Sequence, residues 1–195
     1  MSGTSRGRRA LIAIAAIFFL PLAAAVWLHY GSGWQPAPGA QHGRLLDPPR
    51  PLPAAPLTLP AGAPAPADAL RGKWSIVQLV PGGCDALCIA IAEELRRVQL
   101  ALDKDAPRVR RVLLHAGGCC EGRAELAADR QLAVLGAGGQ AAAALLSQFP
   151  PARDGRPGVY IVDPHGNLVM SYPATGAARG LLKDLERLLR HSRIG

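Results

Sequence analysis

The sequence has few aromatic residues and no patch in which they alternate with basic ones. Aromatic side chains make up 5% of the 195 residues, and the arginines behind the formal net charge of +8 are scattered along the chain. Nucleic-acid binding proteins usually combine basic and aromatic side chains on one surface. The composition therefore argues against a nucleic-acid partner.

Several catalytic patterns are also missing. No two acidic residues are spaced for acid–base catalysis, and no serine lies in a recognisable nucleophile motif. The glycines of GAGGQAAAALL, residues 136–146, do not fit a phosphate-binding or dinucleotide-binding loop. No internal repeat is evident. Hydrolase and nucleotide-dependent functions are therefore disfavoured.

The N-terminus has the pattern of a membrane anchor. Arg6, Arg8 and Arg9 precede an apolar run over residues 10–28, which is long enough to cross a bilayer as a helix. Residues 23–25, Ala-Ala-Ala, resemble a signal-peptide cleavage site, but the apolar run continues beyond them. We expect residues 1–30 to form a cytoplasmic basic flank and an uncleaved anchor. The rest of the chain is expected to be exported whether this segment is an uncleaved anchor or a cleaved signal peptide.

Residues 31–69 contain ten prolines and many alanines and glycines. Proline removes a backbone donor and favours extended geometry, so this segment is expected to be a semi-rigid linker. Recognition of its proline motifs by a partner is an alternative interpretation.

Residues 70–195 alternate between strand and helix patterns and account for one α/β domain. The pattern predicts a mixed sheet flanked by helices. Strands are expected over 73–80, 108–116, 132–138, 158–163 and 167–172, and helices after Asp85, near 122–130, over 138–149 and over 178–192.

Two cysteines lie where the first of these strands passes into a helix. Pro81-Gly82-Gly83 closes the strand, Cys84 and Cys88 follow, and Asp85 is a candidate helix cap. A helix start favours the thiolate form, and two thiolates suit cuprous copper. The pair also suits disulfide exchange, in which Cys84 attacks and Cys88 resolves. Both chemistries need an exposed pair, whereas a static disulfide or simple packing would not.

The stretches GKWSIVQLVPGGCDALC and RPGVYIVDPHGNLVMSYP resemble the thioredoxin-like superfamily over about residues 70–195, especially its extracytoplasmic Sco/SenC and TlpA-like branches. The three-residue spacing between Cys84 and Cys88 is that of Sco proteins. The resemblance implies a thioredoxin-like fold, copper binding through both cysteines and a distant histidine, and a role in cytochrome c oxidase assembly in proteobacteria.

The chain departs from the Sco pattern at that histidine. The corresponding stretch, PPARDGRPG, contains none, and Pro157 stands where TlpA-like proteins place a cis-proline beside the active cysteines. This difference favours thiol chemistry over copper. His165, in the DPHGN turn, is expected to face solvent.

A second group of candidate ligands follows the second strand. The stretch LLHAGGCCEGR places His115 at the strand end and Cys119 and Cys120 in the next loop, which in this topology adjoins Cys84. Copper would accept His115 or one of these cysteines as a further ligand. Alternatively, His115 is structural, and Cys119 and Cys120 are incidental or form a vicinal disulfide. Zinc is less suited, because no second pair has finger-like spacing.

The sequence thus predicts a single-pass inner-membrane protein with a periplasmic thioredoxin-like domain. We expect it to assist cytochrome c oxidase assembly by passing copper or by keeping copper-ligand cysteines reduced. Its expected partners are an oxidase subunit or other copper-assembly proteins. The alternatives are a thiol-disulfide oxidoreductase with broader substrates and a non-catalytic scaffold, so the sequence leaves enzymatic activity undecided.

Overall fold

A computed structural model describes residues 3–31, 41–117, 119–120, 124–151, 157–192 and 194. The chain divides into two units, residues 1–40 and residues 41–195.

The described residues of the N-terminal unit form the helix α1 (Gly3–Tyr30). Its segment Gly7–Leu28 has a mean hydropathy of 2.6 and is long enough to span a bilayer. The predicted apolar N-terminal helix is confirmed.

Across its described residues, the second unit is built on a six-stranded mixed sheet in the order β1-β6-β5-β2-β3-β4. The strands β2, β3 and β4 are parallel, whereas β5 and β6 run antiparallel to their neighbours. The strands are β1 (Arg44–Pro51), β2 (Trp74–Val80), β3 (Val109–His115), β4 (Leu132–Gly136), β5 (Val159–Val162) and β6 (Asn167–Tyr172). This arrangement confirms the predicted thioredoxin-like α/β fold.

Helices cover both faces of the sheet. On one face, leucines of α2 and α5 pack against β2, β5 and β6, and on the other face α4 packs against the central strands. Their bounds are α2 (Ala86–Ala101), α3 (Ala124–Ala127), α4 (Gly139–Leu146) and α5 (Ala178–His191). The helix predicted near 122–130 is therefore a single short turn among the described residues, and residues 122 and 123 lie outside them.

The hairpin between β5 and β6 forms as its turn residues predict. The carboxylate of Asp163 accepts hydrogen bonds from the backbone N–H groups of His165 and Asn167, at 2.9 and 2.8 Å. Gly166 has a φ of +88°, which glycine adopts without strain. His165 is exposed, as expected.

Strand β1 was not predicted, because it lies inside the predicted linker, residues 31–69. Leu45 and Arg50 pair with β6, and the register shifts between them, where the Asp47–Pro48 peptide bond is cis. An edge strand tolerates proline because only one side of it must donate to the sheet. The folded unit therefore extends well before residue 70.

Candidate functional site

The first two cysteines form a disulfide at the junction of β2 and α2. Cys84 precedes the helix and Cys88 lies in its first turn, with 5.2 Å between their Cα atoms. Asp85 is the helix cap, as predicted, and its carboxylate accepts a hydrogen bond from the backbone N–H of Cys88 at 2.9 Å. The helix start therefore fixes the spacing of the pair.

This disulfide is buried, contrary to the expectation of an exposed pair. Cys84 is 3% exposed and Cys88 7%. They lie in an apolar cluster with side chains from β2, β3, α2 and α3: Val80, Ala92, Leu113 and Leu126. The cluster excludes water because two strand ends and two helices meet there, so a partner protein has little direct access to the two sulfurs.

Gln78 is the polar side chain of β2 beside this disulfide. Its Nε2 donates a hydrogen bond to the backbone oxygen of Cys88 at 3.0 Å. Its Oε1 is buried and has no hydrogen-bond partner within the described part of the chain. A buried acceptor without a partner is uncommon. A thiol S–H is a group that such an acceptor can bind.

The second pair of cysteines lies against the first. Cys119 and Cys120 form a vicinal disulfide in the loop after β3. The sulfur atoms of Cys84, Cys119 and Cys120 all lie within 4.8 Å of one another. Cys119 is buried, whereas Cys120 is partly exposed. The convergence of this loop with Cys84 follows from the parallel pairing of β2 with β3, whose carboxyl ends share one edge.

His115 is at the end of β3 but does not belong to that sulfur group. It pairs with Val80 and with Gly136 across the neighbouring strands. Its ring lies against Gly136. A Cβ atom added to that glycine would be 3.2 Å from the Cε1 atom of the His115 ring. The structure therefore brings together three of the predicted ligand residues, Cys84, Cys119 and Cys120, without this histidine.

Pro157 lies two residues before the start of β5 and is exposed. The peptide bond for which a cis geometry was predicted joins it to Arg156, which lies outside the described residues. That prediction is not tested by the structure.

An ion pair, buried at Arg111 and partly buried at Asp129, holds the segment that follows the vicinal cysteines. Arg111, on β3, is 1% exposed and donates two hydrogen bonds to Asp129, at 2.6 and 2.9 Å. Its Nε also donates to Gln99 of α2 at 2.5 Å. The hydrogen bonds from Arg111 hold the pKa of Asp129 below its usual value, against the opposing effect of burial. This pair was not predicted, because Arg111 is one of several arginines scattered along the chain.

A second polar network ties the start of the folded unit to α5. Asp184 is 3% exposed, and its Oδ2 accepts hydrogen bonds from the backbone N–H groups of His42 and Gly43 and from the hydroxyl of Tyr172. Burial alone would raise the pKa of Asp184, but these hydrogen bonds and one to the His42 ring outweigh it and lower the pKa. Burial and the nearby Asp184 raise the pKa of Tyr172. The sequence feature that could have predicted this network is the aspartate at position 184, which lies among the buried leucines of α5.

A cleft of about 650 Å³ lies along β1, lined chiefly by residues 44–53. None of its lining residues is a cysteine or a histidine. The cleft therefore offers no thiol or imidazole ligand, and the sulfur group remains the candidate site.

Comparison with known proteins identifies the domain. The family model described as "Transmembrane-like, thioredoxin-like, C-terminal domain" matches residues 74–192. No curated protein sequence matches the chain.

Several solved structures share the fold. Apo Sco1 from Thermus thermophilus is 19% identical with a TM-score of 0.59, and the alignment covers 78% of this chain and 99% of that one. Copper-bound ScoI from Bradyrhizobium japonicum is 21% identical with a TM-score of 0.51, covering 70% and 98%.

BsSco, described as having a disulfide switch and as a member of the Sco family of cytochrome c oxidase assembly proteins, is 15% identical with a TM-score of 0.51, covering 74% and 97%. At these identities, the three structures establish the fold that the sequence resemblance implied. The family model matches more than half of the residues of this chain, so the chain belongs to the family of transmembrane-like, thioredoxin-like C-terminal domains.

Proposed function

We propose that this protein is an accessory factor in cytochrome c oxidase assembly, anchored in the inner membrane by α1 with its thioredoxin-like domain in the periplasm. The arginines at the N-terminal end of α1, which precede its apolar run, support this orientation, because positive flanks remain in the cytoplasm. The Sco structures that share the fold include one with copper bound and one described as an oxidase assembly protein. An oxidase subunit or another copper-assembly protein is the proposed partner.

The observation that carries the proposal is the cysteine pair at the start of α2. When the disulfide is reduced, Cys84 and Cys88 become two soft sulfur ligands held one helical turn apart. This donor set suits cuprous copper as cargo. The sulfur atoms of Cys119 and Cys120 lie close enough to Cys84 to supply a third ligand after their own reduction. His115 is a weaker candidate, because it lies outside the sulfur group.

A second candidate function is thiol-disulfide exchange, in which the domain keeps another protein's copper-ligand cysteines reduced. The specific observation in its favour is that all four cysteines are paired as two disulfides, one packed against the other. Exchange of this kind requires only sulfur nucleophiles and a partner disulfide. Broader substrates than oxidase subunits would make the protein a general oxidoreductase.

Oxidase assembly in the host cell tests whether either chemistry operates. We would compare oxidase activity and copper content of membranes from cells that carry the wild-type chain, Cys84→Ser/Cys88→Ser or His165→Ser. His165 is exposed in the β5–β6 turn, so its variant controls for a serine substitution as such. The proposal predicts that both readouts fall only in the cysteine variant, at equal protein levels. Normal assembly in that variant would instead indicate a scaffold that works through its surface.

A further inference from the structure

We propose that the two disulfides form an internal relay, in which Cys119 and Cys120 carry electrons between a partner protein dithiol and the buried Cys84–Cys88 pair. This inference goes beyond the proposed function, because it applies whether the first pair handles copper or electrons. Its tests contain no copper.

The first ground for the relay is proximity. The sulfur of Cys84 lies within 4.8 Å of both sulfurs of the vicinal disulfide. Rotation of a cysteine side chain about χ1 displaces its sulfur by a few ångströms, on the order of the remaining gap. A mixed disulfide between Cys84 and Cys120 can therefore form without moving either strand.

The second ground is the gradient of burial across the four cysteines. Cys84, Cys88 and Cys119 are buried, and Cys120 is partly exposed. Thiol-disulfide exchange requires the attacking thiolate to reach a sulfur directly. A large partner can reach Cys120 first, which makes the vicinal pair the entrance and the Cys84–Cys88 pair the internal terminus.

The backbone at Cys120 is the third ground. Its φ of +76° lies in the left-handed region, which is uncommon for a residue with a side chain. Backbone conformations of this kind occur often at functional sites. The loop thus keeps Cys120 in an unusual conformation at the position where the relay needs an accessible sulfur.

The electron flow through the relay balances. A partner thiolate attacks Cys120 Sγ, Cys119 leaves as a thiolate, and the partner's second thiolate then releases Cys120. The partner becomes a disulfide, and its two electrons and two protons pass to the vicinal pair.

In the internal step, the Cys120 thiolate attacks Cys84 Sγ and Cys88 leaves as a thiolate. Cys119 then attacks Cys120 Sγ, so that Cys84 leaves as a thiolate and the vicinal disulfide forms again. The two protons finish on Cys84 and Cys88. The Gln78 Oε1 acceptor beside Cys88 is suited to bind an S–H that exists only in this reduced state.

The first test traps the mixed disulfide in the full chain in detergent. Cys88→Ser/Cys119→Ser leaves Cys84 and Cys120, and oxidised glutathione serves as the oxidant. Trypsin places these cysteines on separate peptides, residues 74–96 and 112–123, so mass spectrometry detects their linkage. The matched control, Cys84→Ser/Cys119→Ser, leaves Cys88, which is outside the sulfur group. The relay predicts efficient linkage in the first variant and little in the control. Absence of the Cys84–Cys120 link, or equal linkage in both variants, would overturn it.

The second test measures electron entry. Reduced thioredoxin is the probe dithiol, and alkylation followed by mass analysis of peptide 74–96 reports opening of the Cys84–Cys88 disulfide. In Cys119→Ser/Cys120→Ser the rate should fall by about tenfold or more, because the buried disulfide is then reached only through local opening. Loss of fold cannot mimic this result, since unfolding exposes the disulfide and speeds its reduction. An unchanged or faster rate would refute the relay.

Discussion

Replacement of Asp184 tests how the start of the folded unit is attached to the rest of the domain. In Asp184→Ala, the backbone N–H groups of His42 and Gly43 and the Tyr172 hydroxyl lose one shared acceptor. A buried donor left without its partner costs about 1–3 kcal/mol. Because water can reach the site once the carboxylate is gone, we expect a loss of about 3–5 kcal/mol, near the low end of the range for three such groups.

The matched variant is Asp184→Asn. Its amide oxygen can still accept from the two backbone N–H groups and the hydroxyl, and its amide nitrogen can donate to the ring nitrogen of His42. Only the charge is lost, so we expect a cost of about 1 kcal/mol.

The assay is urea unfolding of the full chain in a non-ionic detergent. The buried Trp74 supplies the fluorescence signal, in a background of Trp27→Phe and Trp34→Phe that removes the other two tryptophans. An alanine variant as stable as the asparagine variant would refute the reasoning, because it would mean that the three donors are satisfied without Asp184.

The pH dependence gives an independent check. The pKa of Asp184 is lowered in the folded state, so its stabilising effect is present above the unfolded pKa of about 3.9 and is lost as pH falls through the folded value. The wild-type chain should therefore lose more stability than Asp184→Asn as the pH is lowered through this range. Parallel pH profiles for the two proteins would contradict the assignment.

Two further predictions concern the fold around the site. Arg111→Met leaves the Asp129 carboxylate, which is 16% exposed, without its buried partner and should lower the free energy of unfolding in urea by about 3–5 kcal/mol. The double variant Arg111→Met/Asp129→Leu should recover much of this loss. Equal stabilities of the single and double variants would contradict this prediction. A fragment that starts at Gln41 should unfold cooperatively in calorimetry, whereas one that starts at Leu70 should not. The shorter fragment lacks three buried leucines that each contribute about 1.5–3 kcal/mol, Leu46, Leu52 and Leu57. Cooperative unfolding of the shorter fragment would show that the folded domain needs only residues 70–195.

The central part of the fold was predictable because its local signals agree with one another. The apolar run of β2, the Pro-Gly-Gly turn and the Asp85 cap each indicate the same strand, turn and helix. The β5–β6 hairpin was predictable for the same reason, since Asp163 and Gly166 have the chemistry that its turn requires.

Strand β1 was not predictable from local sequence, because its prolines indicate a linker and its pairing with β6 depends on a contact more than a hundred residues away. The leucines of this segment, buried at positions 46, 52 and 57, were the one available signal. Tertiary packing overrode the local preference of the chain.

The sulfur site was predictable in part. The parallel order of β2 and β3 indicated that the loop carrying Cys119 and Cys120 would approach Cys84, and the structure places it there. Burial of the first pair was not predictable, because it depends on how α2 and α3 close over the strand ends. The same packing leaves His115 outside the sulfur group.

Cuprous copper binding by the reduced full chain is the most direct test of the copper-handling function. Copper would be titrated anaerobically in detergent against bicinchoninic acid as a competing chelator, with Cys84→Ser/Cys88→Ser as the test variant and His165→Ser as the control. We expect one tightly bound copper per chain in the wild-type and control proteins, and its loss in the cysteine variant. Binding by the wild-type chain no tighter than by the cysteine variant would contradict the copper-handling function and leave thiol exchange or a scaffold.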